Sequence, residues 1–185
     1  MLEGDPAAFS GLLNSTYDLL FQYGNKFSRD RELVKDCIQD IYLEVWEKRS
    51  SLNGDIPPRA YLLASLRRRL NRVGQRNQAL PFDSLDDVAF DMNYSIEYRL
   101  IRSEEDAQTA KRITYLLNAL PKRQKEAVYL KFFLELDRDQ IAAVMDIRPQ
   151  SVSNLLQTAF KWLKEHWKTA IFFALLLSCL QIAGF

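Results

Sequence analysis

Apolar residues recur at helical spacing along nearly the whole chain, and the breaks between the runs are marked by capping and turn residues. Asp5-Pro6 has the form of an N-cap followed by a proline in the first helical position. Phe9, Leu12, Leu13, Leu19, Leu20 and Tyr23 then predict a helix to about Gly24. The next run has the clearest period. Leu33, Val34, Cys37, Ile38, Ile41, Tyr42 and Val45 form one broad apolar stripe, while Asp36, Asp40, Glu44 and Glu47 gather on another face with Gln39 beside them. Asn53-Gly54 is a turn signal. Pro57-Pro58 opens a third helix to about Arg76, with Leu62, Leu66, Leu70 and Val73 inward.

Periodicity lapses from Asn77 to Tyr94, where Asp83, Asp86, Asp87 and Asp91 suggest an extended acidic linker. Helical spacing resumes near Ser95 and ends with Ile113, Leu116, Leu117 and Leu120. Pro121 opens a further helix with Ala127, Val128, Leu130 and Phe133 as its apolar face. Asp137 and Gln140 make a capping-box start for a short helix over Arg138–Met145. After a tight turn at Asp146–Arg148, Pro149 starts a helix reaching roughly Trp167.

Composition narrows the class. A chain of 185 residues fits one ordinary domain or two small ones. With 48% apolar and 26% charged residues, only six Gly and six Pro, and little strand-type alternation, the expectation is all-α. The net charge of +1 hides segregation. No acidic residue lies between Asp55 and Asp83, yet Arg59, Arg67, Arg68, Arg69, Arg72 and Arg76 do. One surface for a polyanion and another for a basic partner are implied. Cys37 and Cys179 lack CxxC spacing and His166 is the one histidine, so neither a zinc site nor a Cys/His catalytic pair can be assembled. No convergent acid, base or nucleophile set appears; an enzyme is not expected, nor a cofactor. The N-terminus lacks the pattern of a signal peptide, and free thiols suit a cytoplasmic protein.

The short helix, tight turn and longer helix over 138–167 form a helix-turn-helix candidate. Ile141, Ala142, Met145, Ile147 and Val152 supply the apolar positions that lock two helices across the turn. Asp146 occupies the position usually held by Gly, as a residue tolerant of left-handed geometry. The stretch Ala119-Leu120-Pro121-Lys122-Arg123-Gln124-Lys125-Glu126-Ala127 and its continuation to Lys164 resembles region 4 of the extracytoplasmic-function sigma factors. The run from Asp36 to Trp46 resembles their region 2 core-binding helix, and Arg59 to Arg76 the part that melts and reads the −10 element. The resemblance covers nearly all of residues 5–167, in order. It implies two small helical domains, region 2 at 1–78 and helix-turn-helix region 4 at 96–168, joined by the acidic linker 79–95 and followed by an apolar tail 169–185.

Roles follow from the resemblance. Asp36, Gln39, Asp40, Glu44 and Glu47 would dock on the basic clamp helices of the largest subunit of core RNA polymerase, whose flap region would meet region 4. Trp46 would pack in the core or line the DNA pocket. Ser51, Asn53 and Gly54 would capture a flipped −10 base, with Arg59, Tyr61, Arg68 and Arg72 around the strand. The linker aspartates would mimic nucleic-acid charge in the polymerase's RNA path, a plain tether being the alternative. At the −35 element Gln150, Ser153, Asn154 and Gln157 would read base edges, with Arg148 and Lys161 on phosphates. Many relatives carry Arg near the centre of this helix, where this chain has Ser153 to Thr158 without a cation. Weak −35 binding follows, and with it help from an auxiliary DNA-bound recruiter, for some relatives a nuclease-inactive CRISPR effector. An anti-sigma factor is a further expected partner.

Residues 169–185 carry no charge and follow Lys161, Lys164 and Lys168. Seventeen residues stand at the lower limit of a membrane span, about 17–25, so membrane entry and packing on protein both stay open. A tail-anchored helix-turn-helix regulator would account for 121–167 but not for the acidic and Arg-rich helices. A helical adaptor such as an anti-sigma-binding decoy would need no DNA contact.

Overall fold

The structure, a computed structural model, describes residues 5–51, 57–77, 90 and 104–166. Among these residues it is all helical: α1 (Pro6–Gly24), α2 (Arg31–Glu47), α3 (Pro58–Asn77), α4 (Glu104–Ala119), α5 (Lys122–Phe132), α6 (Arg138–Met145) and α7 (Pro149–His166). The all-α expectation holds, and the order of elements is the one read from the periodicity. The linker aspartates, a helix start near Ser95, Cys179 and the apolar tail lie outside the described residues. No helix among the described residues is long and apolar enough to cross a membrane.

Helix ends follow local chemistry. The Asp5 carboxylate accepts from the Ala7 N–H at 2.8 Å, and Asp30 accepts from Glu32 and Leu33, both at 3.1 Å. Each such cap is worth about 1 kcal/mol. At α6 the capping box is closed in both directions: Asp137 accepts from the Gln140 N–H at 2.8 Å, and the Gln140 side chain accepts from the Asp137 N–H at 3.0 Å. Asp146 ends α6 at φ 56°, ψ 52°, the left-handed geometry expected of the turn. That reversal lets Ile147 donate back to the Ala142 carbonyl and aims Pro149 into α7.

Helices α1, α2 and α3 pack pairwise around Leu20, Tyr23, Val34, Ile38, Ile41, Leu63 and Leu66. Gly24 lets α1 and α2 approach: a Cβ there would stand 2.6 Å from Val34 Cγ1. Helices α5, α6 and α7 form the second unit around Leu130, Ile141, Met145, Val152 and Leu163, with α4 against α7. The two units are also in contact, because α3 packs along α6.

Phe133 departs from the expected apolar face of α5. The helix ends at Phe132, and Phe133 is 52% exposed, stacked on Tyr129. The chain turns there so that Leu134 and Leu136 enter the core instead, their N–H groups returning to the carbonyls of Tyr129 and Leu130.

Candidate nucleic-acid and partner interfaces

Helix α2 separates its two chemistries cleanly. Val34, Cys37, Ile38, Ile41, Tyr42 and Val45 are buried. Asp36, Gln39, Asp40 and Glu47 are exposed, and Glu44 is half-buried. The spacing of three, four, eight and eleven residues from Asp36 puts all five on one stripe. Leu43, 60% exposed, sits within that stripe. The sequence reading missed it; an apolar residue seven positions beyond Asp36, on the polar face, was the available signal. Burial pushes the Cys37 thiol up, as suits a packing residue.

The acidic stripe is partly neutralised from within. Arg69 reaches over from α3 and donates to Asp40 at 2.7 Å and to Glu44 at 3.2 Å. Lys48 donates to the second oxygen of Glu44 at 2.6 Å, and the Lys48 hydrogen bond leads in holding the Glu44 carboxyl below its usual range.

The Arg-rich helix does not present all its arginines to one polyanion. Arg67 is buried and paired with Glu126, and Arg69 is turned toward α2, which corrects the expectation of a single basic surface. Arg59, Arg68 and Arg72 are exposed and Tyr61 is half-buried. Helical geometry puts Tyr61, Arg68 and Arg72 on one stripe and sets Arg59 about 180° round from Arg68. Ser51 is exposed in the turn after α2, its hydroxyl donating to the Lys48 carbonyl at 2.9 Å. Asn53 and Gly54 lie outside the described residues. Trp46 is a packing residue at the base of this turn: its ring lies 4.9 Å from that of Phe9, and the Arg49 guanidinium stands over it, 4.6 Å from its centroid.

Helix α7 buries Val152, Leu156, Ala159 and Leu163. Gln150, Asn154, Gln157 and Lys161, at steps of four, three and four, are exposed on one stripe, and Arg148 is exposed in the turn before them. Ser153 is half-buried. The Gln150 amide donates to the Asn154 side chain at 3.2 Å, so these two engage each other. Ser153 and Gln157 border a cleft of about 220 Å³ with Lys131, Phe132, Arg138, Leu156 and Phe160. Lys131 and Arg138 therefore stand beside α7, where the sequence alone showed few cations. They were missed because they belong to α5 and α6.

An acidic stripe, an arginine stripe and a helix-turn-helix thus lie on two helical units. Residues 12–78 match the family model for sigma-70 region 2 and residues 110–163 that for sigma-70 region 4. One similar solved structure is CnrH in complex with the cytosolic domain of CnrY, at TM-score 0.57 and 18% identity, covering 89% of this chain and 90% of that one. Another is the sigma factor RpoE in complex with the anti-sigma factor NepR from Bartonella quintana, at TM-score 0.54 and 19% identity, covering 85% and 95%. Among curated proteins, none matches the chain's sequence. The chain belongs to the sigma-70 family.

Proposed function

We propose that this sigma factor docks on core RNA polymerase through the outer stripe of α2 and carries promoter contacts on α3 and α7. The observation that carries the reading is the pairing, on one three-helix unit, of an exposed acidic stripe with a separate arginine stripe. Asp36, Gln39, Asp40, Glu44 and Glu47, with Leu43 at their centre, suit basic clamp helices of the largest subunit. Such a surface combines charge complementarity, which steers encounter, with an apolar anchor. The domain division at 1–78, 79–95, 96–168 and 169–185 belongs to the same reading.

At the −10 element, Tyr61, Arg68 and Arg72 would follow the strand while Ser51 and Asn53 line the capture of an unpaired base, and Arg59 would reach a phosphate from the other side of the helix. Melting then rests on holding extruded bases rather than on any covalent step. At the −35 element, Gln150, Ser153, Asn154 and Gln157 would face base edges, with Arg148, Lys161 and now Arg138 toward phosphates. Gln150 and Asn154 must exchange their mutual hydrogen bond for base contacts, which supports a weak independent reader and recruitment by a second DNA-bound factor. A footprint showing strong −35 binding by the full chain alone would count against that recruiter. Two structurally similar proteins were solved with CnrY and with the anti-sigma factor NepR, and a regulatory protein of that kind is the expected partner here.

The direct test is co-purification with bacterial core polymerase, followed by transcription from a template carrying a −10 element. Absence of both would sink the reading. A finer prediction concerns Arg68→Ala with Arg72→Ala. Removing two phosphate contacts should flatten the slope of log affinity against log salt by about 1.4–1.8, at roughly 0.7–0.9 per contact. An unchanged slope in the polymerase–promoter complex would take these two residues off the DNA.

A further inference from the structure

The cleft between α5, α6 and α7 holds about 220 Å³, with Phe132, Leu156 and Phe160 as its apolar wall and Arg138, Ser153 and Gln157 around them. The Phe132 and Phe160 rings meet edge to face, their centroids 5.6 Å apart. Size limits what such a cleft takes. A cavity of about 150 Å³ accommodates one benzene ring, whereas pockets for drug-sized ligands begin near ~300 Å³. One phenyl ring therefore fits, and an aromatic wall favours a further ring set edge to face. The cleft does not demand an anion, because Arg138 already donates to Asp139 at 3.3 Å.

The chain itself supplies an occupant of that kind. Residues 169–185 carry no charge and include Phe172 and Phe173. They follow the end of α7, which is held to its own unit: Leu163 is buried and the Trp162 ring stacks on His166 at 4.1 Å. Along α7, Phe160 lies about 9 Å and Leu156 about 15 Å before His166, at 1.5 Å per residue. Phe172 and Phe173 come six and seven residues after His166, a reach of up to about 20–25 Å. The excess leaves room for the chain to reverse. A tethered occupant also acts at about millimolar effective concentration, an advantage that a free partner lacks.

We propose that this cleft is the seat of the chain's own apolar segment 169–185, with the ring of Phe172 or Phe173 inside it, and that the seated segment covers Ser153 and Gln157. The covering bears on DNA through the −35 reading above, and in that part the inference rests on it. A seat filled in about nine molecules of ten leaves one in ten competent, so emptying it raises apparent duplex affinity about tenfold.

The test uses the full chain with the photo-crosslinker p-benzoylphenylalanine in place of Lys131, beside Phe132 on the cleft. Illumination without DNA, at a dilution where the chain is monomeric, should join position 131 to a peptide from 169–185 of the same molecule. Phe172→Ser with Phe173→Ser should remove most of that crosslink and keep the helical circular dichroism. Without the crosslinker, the same double variant should bind a duplex selected from a randomised pool about tenfold more tightly than the parent. The seat is overturned by the absence of a crosslink to 169–185, by crosslinks that join two copies, or by a crosslink undiminished in the double variant. Loss of the crosslink on adding phosphatidylglycerol vesicles, with the chain floating alongside them, would also overturn it and assign the segment to the bilayer. A crosslink with duplex affinity unmoved by the double variant overturns the covering. A crosslink supports the seat even where neither protein binds duplex, an outcome that would count against the −35 reading instead.

Discussion

Asp36→Lys combined with Glu47→Lys is expected to remove detectable co-purification with core polymerase, a loss of at least ~100-fold in affinity. The choice of these two follows from the internal pairing of the stripe. Asp40 and Glu44 are already engaged by Arg69 and Lys48, at 2.6–3.2 Å, so their charge is partly spent within the molecule. Asp36 and Glu47 stand at either end of the stripe and are exposed. Reversing them turns attraction for a basic partner into repulsion, and like-charge juxtaposition across an interface costs several kcal/mol. With 1.4 kcal/mol per factor of ten, two reversals exceed a hundredfold. Both side chains project into solvent, so the melting temperature should stay within about 1–2 °C of the parent, surface changes being worth roughly ±0.5 kcal/mol. Full co-purification by a stably folded double variant would remove α2 from the docking surface. Asp40→Ala is the less clean change, because it also frees Arg69.

Local rules made much of this fold legible. The α6 start needed only Asp137 and Gln140, and the turn needed only a residue able to adopt positive φ at Asp146. Both features are set by chemistry within four residues, so sequence suffices to place them. The apolar stripe of α2 was legible for the same reason, since its period is long and unbroken. What sequence left open was set by contacts across long separations. Nothing in the run Arg67-Arg68-Arg69 distinguishes its members, yet the fold sends the first into a buried pair 59 residues away and the second to solvent. The third goes to carboxylates 25 and 29 residues back. Consecutive positions on a helix point about 100° apart, so only the identity of the neighbouring elements decides each fate. Phe90, buried against Tyr23, Phe27 and Tyr129, was hidden in the same way, inside a segment whose aspartates dominate its composition. Arg138 was read as the first residue of a capped helix; its place beside Ser153 and Gln157 depends on how α6 crosses α7.

Gly24→Val should lower the melting temperature by roughly 6–12 °C, taking about 3 kcal/mol of destabilisation at 2–4 °C per kcal/mol for a chain of this size. Helix propensity alone predicts the opposite sign, since glycine is a worse helix former than valine by roughly 0.3 kcal/mol. Packing wins because of what surrounds the site. A Cβ on Gly24 would lie 2.6 Å from Val34 Cγ1, with Leu66 at 3.4 Å and Leu70 at 3.6 Å on the other side. Val34 and Leu66 are fully buried and Leu70 nearly so, which leaves none of the three a route to solvent. Relief must come from α1 moving away from α2 and α3. That shift would also disturb Tyr23, one residue earlier, whose hydroxyl donates to Glu126 at 2.8 Å. Gly11 supplies the contrast on the same helix, since a Cβ there meets nothing within 4 Å. Gly11→Ala should accordingly stabilise by about 0.5–1 kcal/mol. Thermal unfolding of the two variants side by side separates propensity from packing: a Gly24→Val protein as stable as the parent would mean that α1 and α2 do not approach this closely, and the register of the acidic stripe against the arginine stripe would have to be redrawn.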